Sequence, residues 1–179
     1  AGPRARPAVS LAVDGTLEWL PRETIVFDGA RAELRTRVDL APGARYIGWE
    51  ILCFGRTGSG ERFERGELRV STDVSRAGKL LWTERARIPG GGSLLSSSAG
   101  LAGKTVCGTL VAASDSPFEK NLVSACRELA TTTVLPGVLL ARYLGDSSEE
   151  AMNAFIRLWT LLRPAVCGRE AVLPRIWST

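Results

Sequence analysis

The 179 residues contain no histidine and one methionine, aromatic residues make up 7%, and of the 23 basic side chains only Lys79, Lys104 and Lys120 are lysines. The missing imidazole excludes the most chemistry. Without it there is no Ser-His-Asp or Cys-His nucleophile pair, no His-ligated hydrolytic zinc, and no side chain whose ordinary pKa lies near neutrality. A metal handled by these residues must meet Cys, Asp, Glu or backbone carbonyls. No run approaches the roughly 20 apolar residues of a membrane-spanning helix, and the longest, Val134 to Ala141, is interrupted by Pro136 and Gly137. There is no CxxC clip either. Cys53, Cys107, Cys126 and Cys167 stand far apart among apolar neighbours, the setting of buried free thiols in a cytoplasmic protein. The first residues, Ala-Gly-Pro-Arg-Ala-Arg-Pro, carry no initiator methionine and no apolar signal core, and read as a processed or truncated start.

What is present fits one domain of ordinary composition, 45% hydrophobic and 23% charged, with a net charge of +4. The arginines alternate with acids, as in Glu33-Leu34-Arg35-Thr36-Arg37-Val38-Asp39 and Glu61-Arg62-Phe63-Glu64-Arg65-Gly66-Glu67. That pattern makes a mixed-charge solvated face and not the one-sided basic footprint of a nucleic-acid binder.

Residues 9–112 read as a β-body. Leu34, Thr36, Val38 and Leu40 alternate with Glu33, Arg35, Arg37 and Asp39, the period-2 pattern of a half-buried strand. Turn signals at Asp14-Gly15, Asp28-Gly29 and Pro42-Gly43 recur every 14 residues, and the segments after them resemble one another. Short strands stacked in layers follow, a layered β-solenoid or β-helix-like body, with evenly spaced hairpins in a sandwich as the alternative. Residues 113–179 hold two α-helices, a strand and a tail. Ser116-Pro117-Phe118-Glu119 is a capping box that predicts a helix over 117–130; Ser147-Ser148-Glu149-Glu150 predicts a second over 148–163, stopped by Pro164. Between them, Val134 to Leu144 reads as a buried strand broken near Pro136-Gly137. The final Pro174-Arg175-Ile176-Trp177-Ser178-Thr179 is either docked on its own domain or offered to a partner.

The chemistry-bearing candidates are acids. Along Tyr46-Ile47-Gly48-Trp49-Glu50-Ile51-Leu52-Cys53-Phe54, Ile47, Trp49, Ile51 and Cys53 share one face and Glu50 takes the other, a carboxylate on an otherwise apolar strand. Such a carboxylate is either paired, with Arg56 or Arg85 as partners, or lines a wet internal passage. Glu61 and Glu84 adjoin strand ends. No spacing places two acids as a general acid/base couple, although a carboxylate-dependent hydrolase on the β-scaffold is the alternative function. The loop Gly55-Arg56-Thr57-Gly58-Ser59-Gly60-Glu61 lacks the Lys-Ser/Thr and the following helix of a phosphate loop.

Several strings in order carry a resemblance. Leu17-Glu18-Trp19-Leu20-Pro21-Arg22-Glu23-Thr24-Ile25-Val26-Phe27-Asp28-Gly29-Ala30, Gly48-Trp49-Glu50-Ile51-Leu52-Cys53-Phe54-Gly55-Arg56, Gly60-Glu61-Arg62-Phe63, Ala141-Arg142-Tyr143-Leu144-Gly145-Asp146, Leu161-Leu162-Arg163-Pro164 and Pro174-Arg175-Ile176-Trp177 resemble the UreD (UreH) urease accessory proteins. The resemblance covers nearly the whole sequence and matches the family's C-terminal portion, without its N-terminal strands. It implies a non-enzymatic, cytoplasmic chaperone of nickel urease with a β-helical body and two helices. It also implies binding to a UreF-like protein, through it to a UreG-like GTPase, and to apo-urease. No tightly bound cofactor is expected; nickel passes transiently through internal channels, for which Glu50, Glu61 and Glu84 are the candidate contacts.

Overall fold

The computed structural model describes residues 3–178. In chain order the elements are β1 (Ala8–Val13), β2 (Thr16–Trp19), β3 (Thr24–Val26), β4 (Arg31–Leu40), β5 (Arg45–Phe54), β6 (Glu67–Arg76), β7 (Lys79–Pro89), α1 (Ser93–Ser96), β8 (Val106–Ala113), α2 (Lys120–Leu129), β9 (Thr131–Leu135), β10 (Val138–Gly145) and α3 (Ser148–Cys167). The protein is mainly β. One sheet has the order β1-β4-β6-β7 and the other β2-β5-β8-β10-β9, with β3 also paired to β5.

The layering expected from the glycine spacing is met only at the start. β1, β4 and β6 stack in parallel on one sheet, and β2 and β5 on the other. Ala8 pairs with Arg35, Thr16 with Arg45 and Arg31 with Glu67, offsets of 27, 29 and 36 residues, so the circuit is not constant. The Arg45 N–H donates to the Gly15 carbonyl, which puts the Gly15 and Gly43 turns at one corner. The 14-residue interval is thus half a circuit. From β7 onward every pairing is antiparallel, and the sheets do not form a solenoid.

Side-chain alternation decides what each sheet covers. Val38, Leu40 and Val74 of the first sheet meet Tyr46, Val111, Val138 and Leu140 of the second, and toward the other end Leu68, Val70 and Ile88 meet Leu52, Phe54 and Val26. The opposite face of the second sheet, with Ile47, Trp49, Ile51 and Leu110, carries α3 through Phe155, Leu158, Trp159 and Leu162. The result is three layers: sheet, sheet and helices. Burying each such large apolar side chain is worth roughly 1.5–3 kcal/mol. The outward face of the first sheet is laced with ion pairs, among them Arg35 to Glu33, Arg37 to Asp39 and Arg85 to Asp73. This is the mixed-charge face read from the sequence.

Two helix boundaries differ from expectation. α2 starts at Lys120, because the Ser114-Asp115-Ser116-Pro117 run makes a turn, the Ser116 N–H donating to Ser114 Oγ at 3.1 Å, and the chain is still extended at Glu119. α3 runs through Pro164 to Cys167. The missing proline N–H costs one bond near the helix end, and burial of Val166 and Cys167 offsets it. Gly168 ends the helix at φ 65°, its N–H donating to the Pro164 carbonyl. At the other end Ser147 Oγ accepts from the Glu150 N–H at 3.2 Å, as the capping box requires. The predicted strand over 134–144 is the β9-β10 hairpin, turning at Pro136-Gly137 with Gly137 at φ 78°. The short helix α1 is a single turn entered from Gly92, closed by the Ser97 N–H donating to the Ser93 carbonyl. In the tail, Trp177 docks on Trp49 and Trp159, with ring centroids 5.7 and 5.5 Å away. Thr179 lies outside the described residues.

Candidate functional site

Register aligns a polar row across each facing sheet. On the second sheet Glu50 pairs with Thr109 and Thr109 with Arg142; on the first, Thr36 pairs with Thr72 and Thr72 with Glu84. All six positions have the parity that points between the sheets. They fall between the two apolar clusters, so the middle of the sheet-to-sheet interface is polar where both ends are dry.

Two cavities occupy this gap, of about 300 and 260 Å³, and Glu50, Glu84 and Thr109 line both. The first reaches the edge formed by β2, β3 and β1, with Trp19, Pro21 and Arg22 on its rim. Along that edge the pairing of β5 stops at Gly48 and resumes at Leu52. The intervening Leu20–Glu23 segment arches away, held by Trp49 Nε1 donating to the Pro21 carbonyl at 2.9 Å. The second reaches the β7-β10 side, where Leu94, Tyr143 and Leu144 stand near Arg142.

The two central acids have different surroundings. Glu84 accepts from Arg142 Nη1 at 2.7 Å, and the same nitrogen is 2.6 Å from Thr109 Oγ1. Glu50 has no such partner among the described residues, and Arg56 and Arg85, the partners expected from the sequence, are engaged by Glu61 and Asp73. Burial, assisted by the nearby Glu84 charge, pushes the Glu50 carboxyl up to about 7. Cys107 lines the second cavity, and burial, with the Glu50 and Glu84 charges adding, raises its thiol to about 12. Cys53 packs on the helix side, opposite Glu50.

The structure therefore brings Glu50 and Glu84 together and leaves Glu61 apart. Glu61 closes the loop after β5: it takes Arg56 in an ion pair at 2.7 Å and accepts from the Asp28 and Arg56 backbone N–H groups. Arg56 holds its carboxyl below the ordinary range. It is a loop clasp, outside both cavities. Among the described residues no three Cys, Asp or Glu side chains converge to hold a metal ion. Arg142 was missed, although the sequence carried a signal. It shares the parity of Leu140 and Leu144 on an apolar strand, just as Glu50 shares that of Gly48 and Leu52.

Fold and site together define a mainly β protein, two facing sheets backed by helices, with a polar gap through the sheet interface. The chain belongs to the UreD family: residues 1–178 match the UreD urease accessory protein. It is 52% identical to the urease accessory protein UreD of Dechloromonas aromatica (strain RCB), over 97% of this chain and 64% of that protein. The UreD of Azoarcus sp. (strain BH72) is 49% identical over 100% and 65%, and that of Nitrosococcus oceani 44% identical over 98% and 61%. The chain thus spans slightly under two thirds of the length of these relatives.

Proposed function

We propose that this chain is part of a non-enzymatic scaffold for urease maturation that links apo-urease to UreF-like and UreG-like accessory proteins in the cytoplasm and helps deliver nickel. Its name-bearing relatives are urease accessory proteins, which supports the maturation role. The single observation that supports the nickel part is the pair of cavities sharing Glu50 and Glu84. A divalent cation cannot cross an apolar sheet interface, because desolvating it costs far more than any packing returns. Threonine hydroxyls, two carboxylates and space for water between the sheets supply weak oxygen contacts that a hydrated ion can exchange. Glu50 and Glu84 are the contacts proposed; Glu61, clasped by Arg56, is not.

The hydrolase alternative asks for two acids in one cleft, and Glu50 and Glu84 do share a cavity. Arg142, however, holds Glu84 as a standing counter-ion, and the acids lie between two sheets instead of along an open groove. The scaffold reading is therefore preferred. The deciding experiment is urease activation by the full-length protein carrying Glu50→Gln and Glu84→Gln, alongside co-purification with a UreF-like protein. Activation reduced severalfold with the complex still assembling is the expected result; unchanged activation by an assembled double variant overturns the nickel path, and failure of the wild type to co-purify overturns the scaffold.

A further inference from the structure

The polar gap already contains a cation of its own, the Arg142 guanidinium. We propose that Arg142 is the gate of the gap, occupying Glu84 as a built-in competitor so that the two carboxylates pass a divalent ion along instead of retaining it. This rests on the nickel-path reading given above. Arg142 comes from β10 and Glu84 from β7, so their 2.7 Å contact ties one sheet to the other beside Glu84 and Thr109, which line both cavities. The same guanidinium nitrogen also reaches Thr109 on β8. Glu50, without an ion partner among the described residues, offers an arriving ion one carboxylate; the second is reached only by displacing the guanidinium.

Displacement has somewhere to go. The guanidinium carbon lies 5.8 Å from the ring centroid of Trp82, two residues before Glu84 on the same face of β7. An aromatic face is a favourable resting place for a cation that has left its carboxylate. The Arg142 side chain is 42% exposed and that of Glu84 30%, so the swing needs no opening of the core. Without this competitor two carboxylates and nearby hydroxyls would hold a divalent cation more tightly, since affinity at an oxygen site rises with the ligands' negative charge. With it, every ion bound is matched by an arginine released, and the exchange runs equally well in reverse.

The test uses the full-length protein and nickel(II), its affinity measured by competition with a chromophoric chelator. Arg142→Gln is expected to tighten nickel binding by about tenfold, since an adjacent arginine lowers a carboxylate's affinity for a proton by about one to three powers of ten and opposes a metal cation in the same sense. Arg142→Lys, which keeps a displaceable charge, stays within about threefold of wild type. Adding Glu84→Gln to Arg142→Gln returns binding to the weak value. Unchanged affinity in Arg142→Gln, or tightening that persists in the double variant, overturns the gate. The nickel path has its own readout: it stands if Glu50→Gln still lowers urease activation and falls if activation by Glu50→Gln and Glu84→Gln is unaltered. Should Arg142→Gln fail to fold by its thermal unfolding curve, Arg142→Met, which keeps the aliphatic stem against Trp82, carries the same expectations.

Discussion

The second sheet presents two faces of opposite character from the same strands. Toward the helices, Ile47, Trp49 and Ile51 of β5 meet Phe155, Leu158 and Trp159 with almost no exposed surface. Toward the first sheet, one residue away in each case, the same strand offers Gly48 and Glu50 to a gap. The dry face tolerates no volume change: a Cβ placed on Gly108 would lie 2.8 Å from the Phe155 ring. The wet face leaves space of hundreds of cubic ångströms beside the Glu50 carboxylate, which has no ion partner among the described residues. A helix can shed its polar groups to its far side, so helix-to-sheet packing closes completely. Two facing sheets whose inward rows both carry polar residues at one level cannot close there.

The largest test of this contrast is a deletion on the dry face. Leu158→Ala should cost about 3–5 kcal/mol in chemical denaturation, transfer and cavity terms together. On the wet face the expectation has the opposite sign and depends on pH. Glu50 binds its proton more tightly when folded (about 7) than when unfolded (4.5), so its contribution is fully favourable below the lower value and is lost as pH rises through the upper. Glu50→Gln should therefore leave stability near wild type at pH 4 and raise it by about 1–3 kcal/mol at pH 8, flattening the decline between. A Glu50→Gln protein that is less stable at pH 8 would show that the carboxylate is held by a partner. Next comes Trp177→Ala, which strips the tail from Trp49 and Trp159 and should cost about 1–2 kcal/mol, read as a lower unfolding midpoint. Smallest is Arg37→Ala on the solvated outer face, which should leave the unfolding midpoint almost unchanged at low salt and indistinguishable from wild type at high salt, because the Arg37–Asp39 pair is exposed and screened.

How far the sequence reached depended on the range of the interactions involved. Alternation in Glu33 to Leu40 fixed the faces of β4, and the opposed faces of β5 placed Glu50 correctly on the side away from Cys53, because both follow from the pleat of a single strand. The helices were found through their apolar spacing, but their ends depended on competition: a Ser-rich turn delayed α2, and tertiary burial carried α3 past Pro164. The site needed more. That Glu50, Thr109 and Arg142 share one row is a matter of register between strands some 30 to 60 residues apart, and that Glu84 faces them is a matter of how two sheets meet. Neither leaves a local trace. The repeat of glycines was a true signal wrongly extended, since half-circuits of 14 residues can close a corner twice without the circuit continuing.

The two ends of the gap are made of different material. On the β7-β10 side the space is bordered by a charged side chain, Arg142, and its extent depends on where that side chain lies. On the β2-β3 side it exists because β5 lacks a neighbouring strand between Gly48 and Leu52, with Leu20–Glu23 arching around the break. An opening cut into the backbone pairing is indifferent to most substitutions at its rim. Substitutions at that rim change the lining and charge of the mouth without closing it, whereas a substitution at Arg142 changes the other mouth directly.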